Sequence, residues 1–319
     1  LRLFQALMQV HRGIPEQADT AAVLTIGNFD GVHLGHQALL SLLTDKAREL
    51  GLPAVVLTFE PHPREYFSPA DAPARLASLR EKLLLLATAG VDRCHICRFD
   101  ARLAAQSAAS FIDDTLVRGL GVRHLYIGDD FRFGARRQGN FAMLQEAGAR
   151  HGFGVESMPT LAVAGERVSS SAVRAALAEG DLAHAARLLG RPYSIAGRVA
   201  HGDKLGRQLG FPTANIQMKH RRPALSGVYV VSVEGLAAGT VTGVANIGLR
   251  PTATENGRAR LEVHLFDWTQ DCYGAHIRVH FLHRLRPEHK FPSLDALRAQ
   301  IALDAQAARQ WLAAHPAHA

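Results

Sequence analysis

The chain has 319 residues, of which 47% are hydrophobic and 20% charged, and a formal net charge of +7. That length exceeds one ordinary core and implies two domains, and the composition is that of a soluble globular protein. No apolar run approaches the roughly 18–20 residues a membrane helix needs, so no membrane partner is expected.

The opening LRLFQALMQV has neither a sustained apolar core nor a small-residue cleavage site, and it does not read as a signal peptide. AVLTIG (22–27) then reads as a buried strand, and GHQALLSLLTDKAREL (35–50) as a helix with Leu39, Leu42, Leu43, Ala47 and Leu50 on one face. Gly51 is its expected left-handed C-cap, with Pro53 beyond. AVVLTFE (54–60) completes a βαβ unit, which implies a parallel sheet. The alternation continues with helices over about 75–89, 107–119 and 140–151, and strands over 93–99, 124–130 and 153–158. This is an open, Rossmann-like α/β domain, whose ligands bind beyond the carboxyl ends of its strands.

The strand at 93–99 carries a CxxC, Cys94 and Cys97. In a strand, positions i and i+3 face opposite ways, so buried thiols are expected rather than a metal or redox site. The chain has three cysteines, an odd number, so no disulfide framework is expected, and the compartment reads as cytoplasmic.

Two short helices follow, SSSAVRAALAEG and DLAHAARLLG. From RPYSIAG (191–197) onward alternating strands dominate, broken by Gly and Pro, which predicts a small antiparallel β-barrel. A terminal helix starts after Ser293, a suitable N-cap. The expected division is 1–186 and 187–319.

The stretch GNFDGVHLGHQ (27–37) joins the first strand to its helix. Unpaired N–H groups at a helix start form a natural anion site. His33 and His36 flank Gly35 there, and both imidazoles can donate to phosphate oxygens. The competing reading is a tight βα turn with one capping and one surface histidine. Downstream, VSSSAVR (168–174) sets Ser170 and Ser171 at a helix start, with Arg174 one turn beyond Ser170. They suit either a simple cap or a triphosphate grip.

The HxGH of this loop resembles the nucleotidylyltransferase superfamily, a signature also seen in class I aminoacyl-tRNA synthetases. Together with TFEPHP (58–63), GDDFRFG (128–134) and VSSSAVR, it resembles the adenylyltransferase module of the prokaryotic bifunctional riboflavin kinase/FAD synthetases. That family usually reads ISST where Val168 and Ser171 stand here, and both changes keep the chemistry. GRVAHGDKLGRQLGFPTANI (197–216), GVYVV (227–231), GVANIGLRPT (243–252) and LEVHLFD (261–267) resemble its kinase module, in family order.

The resemblance implies that riboflavin is phosphorylated to FMN in the second domain, and that FMN is adenylylated to FAD in the first, with ATP and Mg²⁺. It places ATP in the first domain on Gly27, Asn28, Phe29, Asp30, His33, His36, Ser170, Ser171 and Arg174, with His33 and His36 catalytic. Asp130 and Phe131 would help place FMN or the nucleotide. The chain has no GxxxxGK[ST] P-loop, so the kinase needs another cradle. Gly202, Lys204 and Gly206 offer a flexible basic flap. Thr213 and Asn215 lie two apart and face one way in an extended segment, as hard oxygen ligands for Mg²⁺ or simply as a polar strand edge. Glu262 shares a strand face with His264; pattern alone suits a solvent face, and the resemblance makes Glu262 the base. Arg286 matches a segment near the flavin site. Short clusters such as ARRQ and HRRP read as solvated loop charge, and no RNP, KH or helix-turn-helix signature appears, so no nucleic-acid partner is expected. The expected partners are the small-molecule substrates, and the expected assembly is a monomer or weak oligomer.

Overall fold

The computed structural model describes residues 8–202, 206, 209–218, 222–249 and 259–316. The chain divides into two units: residues to Pro73 with Leu79–Ser169, and Ala74–Ser78 with the chain from Ser170 onward.

The first unit is built on a six-stranded sheet of β1 (Gln9–Arg12), β2 (Ala22–Ile26), β3 (Ala54–Glu60), β4 (Arg93–Arg98), β5 (Val122–Gly128) and β6 (Gly154–Met158). Its order is β1-β4-β3-β2-β5-β6 and every pairing is parallel. Its helices are α1 (Leu34–Leu50), α2 (Pro63–Phe67), α3 (Leu79–Thr88), α4 (Ala101–Ala105), α5 (Ala108–Ser110, running on as π-helix to Gly119) and α6 (Phe141–His151). A small hairpin, β7 (Ala162–Val163) and β8 (Glu166–Arg167), follows β6. All of β2 is buried. Val23 packs with Leu40, Leu43 and Val56 on one face, while Leu24 and Ile26 meet Leu57, Leu116 and Leu125 on the other. Parallel strands covered on both faces read as continuous apolar runs for this reason.

The two thiols are buried and face opposite ways, as expected: Cys94 lies in one of these core layers and Cys97 in the other. Burial pushes the Cys94 thiol up to about 12 and the Cys97 thiol up to about 11. The apolar face of α1 differs from the expected one. Its core residues are Leu39, Leu40, Leu43 and Ala47, whereas Leu42 and Leu50 are 41% and 42% exposed. At about 100° per residue Leu42 turns away from the arc of Leu40 and Leu43, and Leu50 sits in the last turn. Gly51 does take the left-handed cap, at φ 62°. The short polar β1, the short helices α2 and α4, and the β7–β8 hairpin were not expected from pattern, because each is too brief to show a period.

The second unit begins with α7 (Ser170–Glu179) and α8 (Leu182–Leu189). Six antiparallel strands then close a barrel: β9 (Ser194–Ala200), β10 (Ala214–Gln217), β11 (Gly227–Glu234), β12 (Val241–Leu249), β13 (Ala259–Leu265) and β14 (His276–Arg286). Along β13 the buried Ala259, Leu261, Val263 and Leu265 alternate with half-buried Arg260, Glu262 and His264. The terminal helix α9 (Leu294–Ala314) is capped by Ser293, whose hydroxyl accepts from the Ala296 N–H. Its Ala308 and Leu312 pack on Val230, which is why β11 is buried on both faces up to Glu234.

Candidate active sites

In the first unit β2 lies between β3 and β5. Connections leave the carboxyl ends of β2 and β5 in opposite directions, and such a switch point opens a ligand crevice. The loop 27–33 sits at that place. Its backbone is strained: Phe29, Gly31 and Val32 have φ of 47°, 79° and 41°. A positive φ at a β-branched residue is a true outlier and costs on the order of 1–3 kcal/mol. Packing offsets it, since Phe29 is 0% and Val32 2% exposed. The Thr58 hydroxyl donates to the Asn28 carbonyl at 3.4 Å, and the Gln37 amide donates to the Val32 carbonyl at 2.9 Å.

His33 caps α1, its Nδ1 accepting from the His36 N–H at 3.3 Å. The two rings stack at 3.7 Å, and His36 also meets the Phe29 ring at 5.0 Å. Gly35 permits this, because a Cβ there would stand 3.2 Å from the His33 ring. The capping half of the plain-turn reading is therefore correct, but His36 is half-buried, with its Nδ1 enclosed. Desolvation first, then the charges of His33 and Lys82, hold its pKa well below 6.5, so it is neutral at neutral pH. Three buried polar atoms here have no protein partner: Asn28 Oδ1, His36 Nδ1 and Thr25 Oγ1. A buried polar atom without a partner is costly, so a group that a ligand would satisfy is the physical expectation. Asp30 is buried in the same loop.

Asp130 and Phe131 follow β5, on the other side of the switch point. Asp130 is exposed and pairs with Arg167 at 2.8 Å; Phe131 stacks on Phe133 at 5.7 Å. Ser170 and Ser171 occupy the first turn of α7 in the second unit, and the Arg174 Nε donates to the Ala74 carbonyl at 2.6 Å. In TFEPHP, His62 caps α2 and receives the Glu65 carboxylate on its own N–H, a structural role. Pattern reading passed over Lys82, which is buried on α3. The signal was present: Lys82 falls in the stripe of Leu79, Leu83 and Leu86.

In the barrel, strand register assembles the second constellation. Glu262 on β13 faces Asn215 on β10 and Asn246 on β12. The Arg260 guanidinium pairs with Glu262 Oε1 at 2.8 Å. The Asn215 Nδ2 donates to the Thr213 carbonyl at 3.2 Å and to its hydroxyl at 3.3 Å, which leaves Asn215 Oδ1 buried with no partner. His264 Nδ1 stands 2.9 Å from the Pro212 carbonyl and ties the segment before β10 to β13. Gly202 is packed so closely that a Cβ would lie 2.5 Å from the Asn215 amide, and a Cβ on Gly206 would come 3.4 Å from the Thr213 hydroxyl. Lys204, and residues 250–252 of GVANIGLRPT, lie outside the described residues. Arg286 is committed to the fold: its Nε and Nη2 bind the buried Asp304 carboxylate at 2.7–3.1 Å, and its guanidinium lies over Phe291. Among the described residues there is no group of three or more His, Cys, Asp or Glu that could hold a metal. The hard oxygens of Thr213 and Asn215, one of them unsatisfied, do fit Mg²⁺.

The family model for FAD synthetase matches residues 15–172, and that for riboflavin kinase matches residues 189–312. A bifunctional riboflavin kinase/FMN adenylyltransferase of Pseudomonas fluorescens is 53% identical, over 98% of this chain and 100% of its own. Proteins of the same name from Escherichia coli K12 and Haemophilus influenzae are each 51% identical, over 95% of this chain and 98% of theirs. Among solved structures, one described as a macrolide-efflux protein from Streptococcus pneumoniae has a TM-score of 0.79 at 29% identity, covering 95% of this chain and 100% of that one.

Proposed function

The chain belongs to the bifunctional riboflavin kinase/FMN adenylyltransferase family and carries its FAD synthetase domain followed by its riboflavin kinase domain, and we propose how its residues divide that work. It is an enzyme with both activities, and dependence on ATP and Mg²⁺ with flavin substrates is typical of the family. No described helix is long and apolar enough to cross a membrane. The division we propose falls at 186/187, inside the gap between the two family matches at 172 and 189.

In residues 1–186 an FMN phosphate oxygen attacks the α-phosphorus of ATP, the bond to pyrophosphate breaks, and FAD results. A phosphate nucleophile needs no base, so positioning and charge stabilisation carry the rate. Gly27, Asn28, Phe29 and Asp30 shape the phosphate loop, and neutral His36 donates one hydrogen bond beside His33. Ser170, Ser171 and Arg174 are carried as further ATP ligands on the VSSSAVR motif alone. Asp130 and Phe131 are carried as groups that place FMN or the nucleotide, supported by their position at the end of β5. One observation carries this reading: His36 Nδ1 and Asn28 Oδ1 are buried without partners at a helix N-terminus beside the switch point.

In residues 187–319 Glu262 takes the proton of the ribityl 5'-hydroxyl as that oxygen attacks the γ-phosphorus, and ADP leaves. Gly202 and Gly206 let the backbone close over Asn215 and Thr213, with Lys204 as the flap's cation. Thr213 and Asn215 would hold Mg²⁺, which when bound neutralises charge on the phosphates. Arg286 acts near the flavin by bracing the end of β14 against α9 through Asp304.

The test supplies riboflavin, ATP and Mg²⁺ and resolves the flavins by chromatography. FMN followed by FAD is the expected result. FAD formed only from added FMN would sink the kinase assignment, and no new flavin would sink both.

A further inference from the structure

Among the described residues Lys82 is a buried basic side chain with no part in the transfer steps. Lys82 sits on α3 at 5% exposure, in a stripe otherwise occupied by Leu79, Leu83 and Leu86. Lysine is rarely enclosed, because its charge loses hydration there. Its Nζ donates to Thr58 Oγ1 at 3.4 Å, and the same Oγ1 donates to the Asn28 carbonyl at 3.4 Å. A chain of two hydrogen bonds thus runs from the ammonium to the main chain of GNFDG. The unsatisfied Asn28 Oδ1 belongs to the residue so held, and Thr58 itself is fully buried. The charged groups facing His36 are His33 from the helix cap and Lys82 from α3. Cys94 on β4 feels the same ammonium.

We propose that Lys82 is a positioning residue for adenylyl transfer: its buried amino group anchors the GNFDG main chain through Thr58 and places its charge beside His36. The proposal rests on the reading of His36 as an ATP-phosphate ligand. A fixed cation separates two tasks. Attraction for phosphate comes from the Lys82 ammonium, and His36 is left as a neutral, directional donor. Burial favours the same state of His36, so the two effects reinforce each other.

The test uses the full chain with Lys82→Met, Lys82→Arg and Thr58→Val. FAD formation from FMN is followed against pH, riboflavin phosphorylation in the same protein reports folding, and NMR follows the His36 imidazole. In Lys82→Met, FAD formation is expected to fall by up to about 10²-fold through displacement of the loop. The His36 titration and the acid limb of the FAD profile should both move to higher pH, and Lys82→Arg should return both toward wild type. Thr58→Val should slow FAD formation without moving the His36 titration, because the charge stays. A wild-type His36 titration and pH profile in Lys82→Met would overturn the proposal even if the rate fell. So would an unchanged FAD rate in Thr58→Val, a variant that also serves if Lys82→Met fails to fold. A wild-type chain that makes FMN but no FAD would instead overturn the reading of the site itself.

Discussion

Residues 27–36 hold their polar groups on a loop whose Phe29 and Val32 are sunk in the core, whereas Thr213, Asn215 and Glu262 hold theirs by register. In the first region Phe29 and Val32 are sunk in the core at positive φ, and the loop has little freedom left. In the second, Glu262 and Asn215 are half-buried on adjacent strands, and ladder pairing alone brings them together. The βα loop keeps a strained backbone at Phe29 and Val32 because both side chains are packed in the core. On the barrel face Gly202 packs against the Asn215 amide with no room for a Cβ. The contrast suits the chemistry: a phosphate nucleophile needs only placement, while a hydroxyl needs a base that solvent and substrate can both reach.

The two regions should therefore fail in different ways. Glu262→Gln removes the base and should lower FMN formation by about 10²–10⁴-fold, with FMN-to-FAD conversion intact. Flavin chromatography with each substrate in turn measures both. His36→Ala should do the reverse, lowering FAD formation by about 10²–10³-fold, the usual cost of one preorganised donor, while riboflavin phosphorylation persists. Loss of both activities in either variant would break the comparison.

A smaller effect tests the flap. In Gly202→Ala the new methyl would meet the Asn215 amide at 2.5 Å, so the KM for MgATP in the kinase reaction should rise severalfold with FAD formation unchanged. An unaltered KM would show that the flap does not close on Asn215.

The smallest effect is on stability. The His36 pKa is held well below 6.5 in the folded chain, so the unfolded chain takes up the proton first as pH falls. The contribution of neutral His36 is complete above pH 6.5 and is lost progressively below it. His95, also lowered chiefly by burial, acts in the same direction. Urea midpoints at pH 7 and pH 5 should differ less in His36→Gln than in wild type. Equal differences would mean that His36 is hydrated in the folded chain.

Much of this architecture was legible because its periods are long. The β2–α1–β3 unit, the alternating β13, the Ser293 cap and the Gly51 cap all follow local rules of spacing and backbone preference. The face of α1 was misjudged at Leu42 and Leu50, since six leucines in one helix permit more than one apolar arc. Arg286 shows a different limit. A cationic residue at a strand end looks available for a ligand until Asp304, eighteen positions away on α9, engages it. Lys82 was overlooked because a charged residue in an amphipathic stripe is ordinarily assumed to bend out to solvent.

By itself the sequence determined the fold class of each half, the family, and the motif residues on which chemistry depends, because these rest on local periodicity and on residue types at fixed spacing. Only the tertiary structure decided the state of those residues: that His33 is a cap, that His36 Nδ1 and Asn215 Oδ1 are buried without a partner, and that Lys82 reaches the Asn28 loop through Thr58. Burial and hydrogen bonding arise between segments far apart in the chain, such as the 24 positions from Thr58 to Lys82 and the 30 from Asn28 to Thr58, and no local pattern encodes a partner at that range.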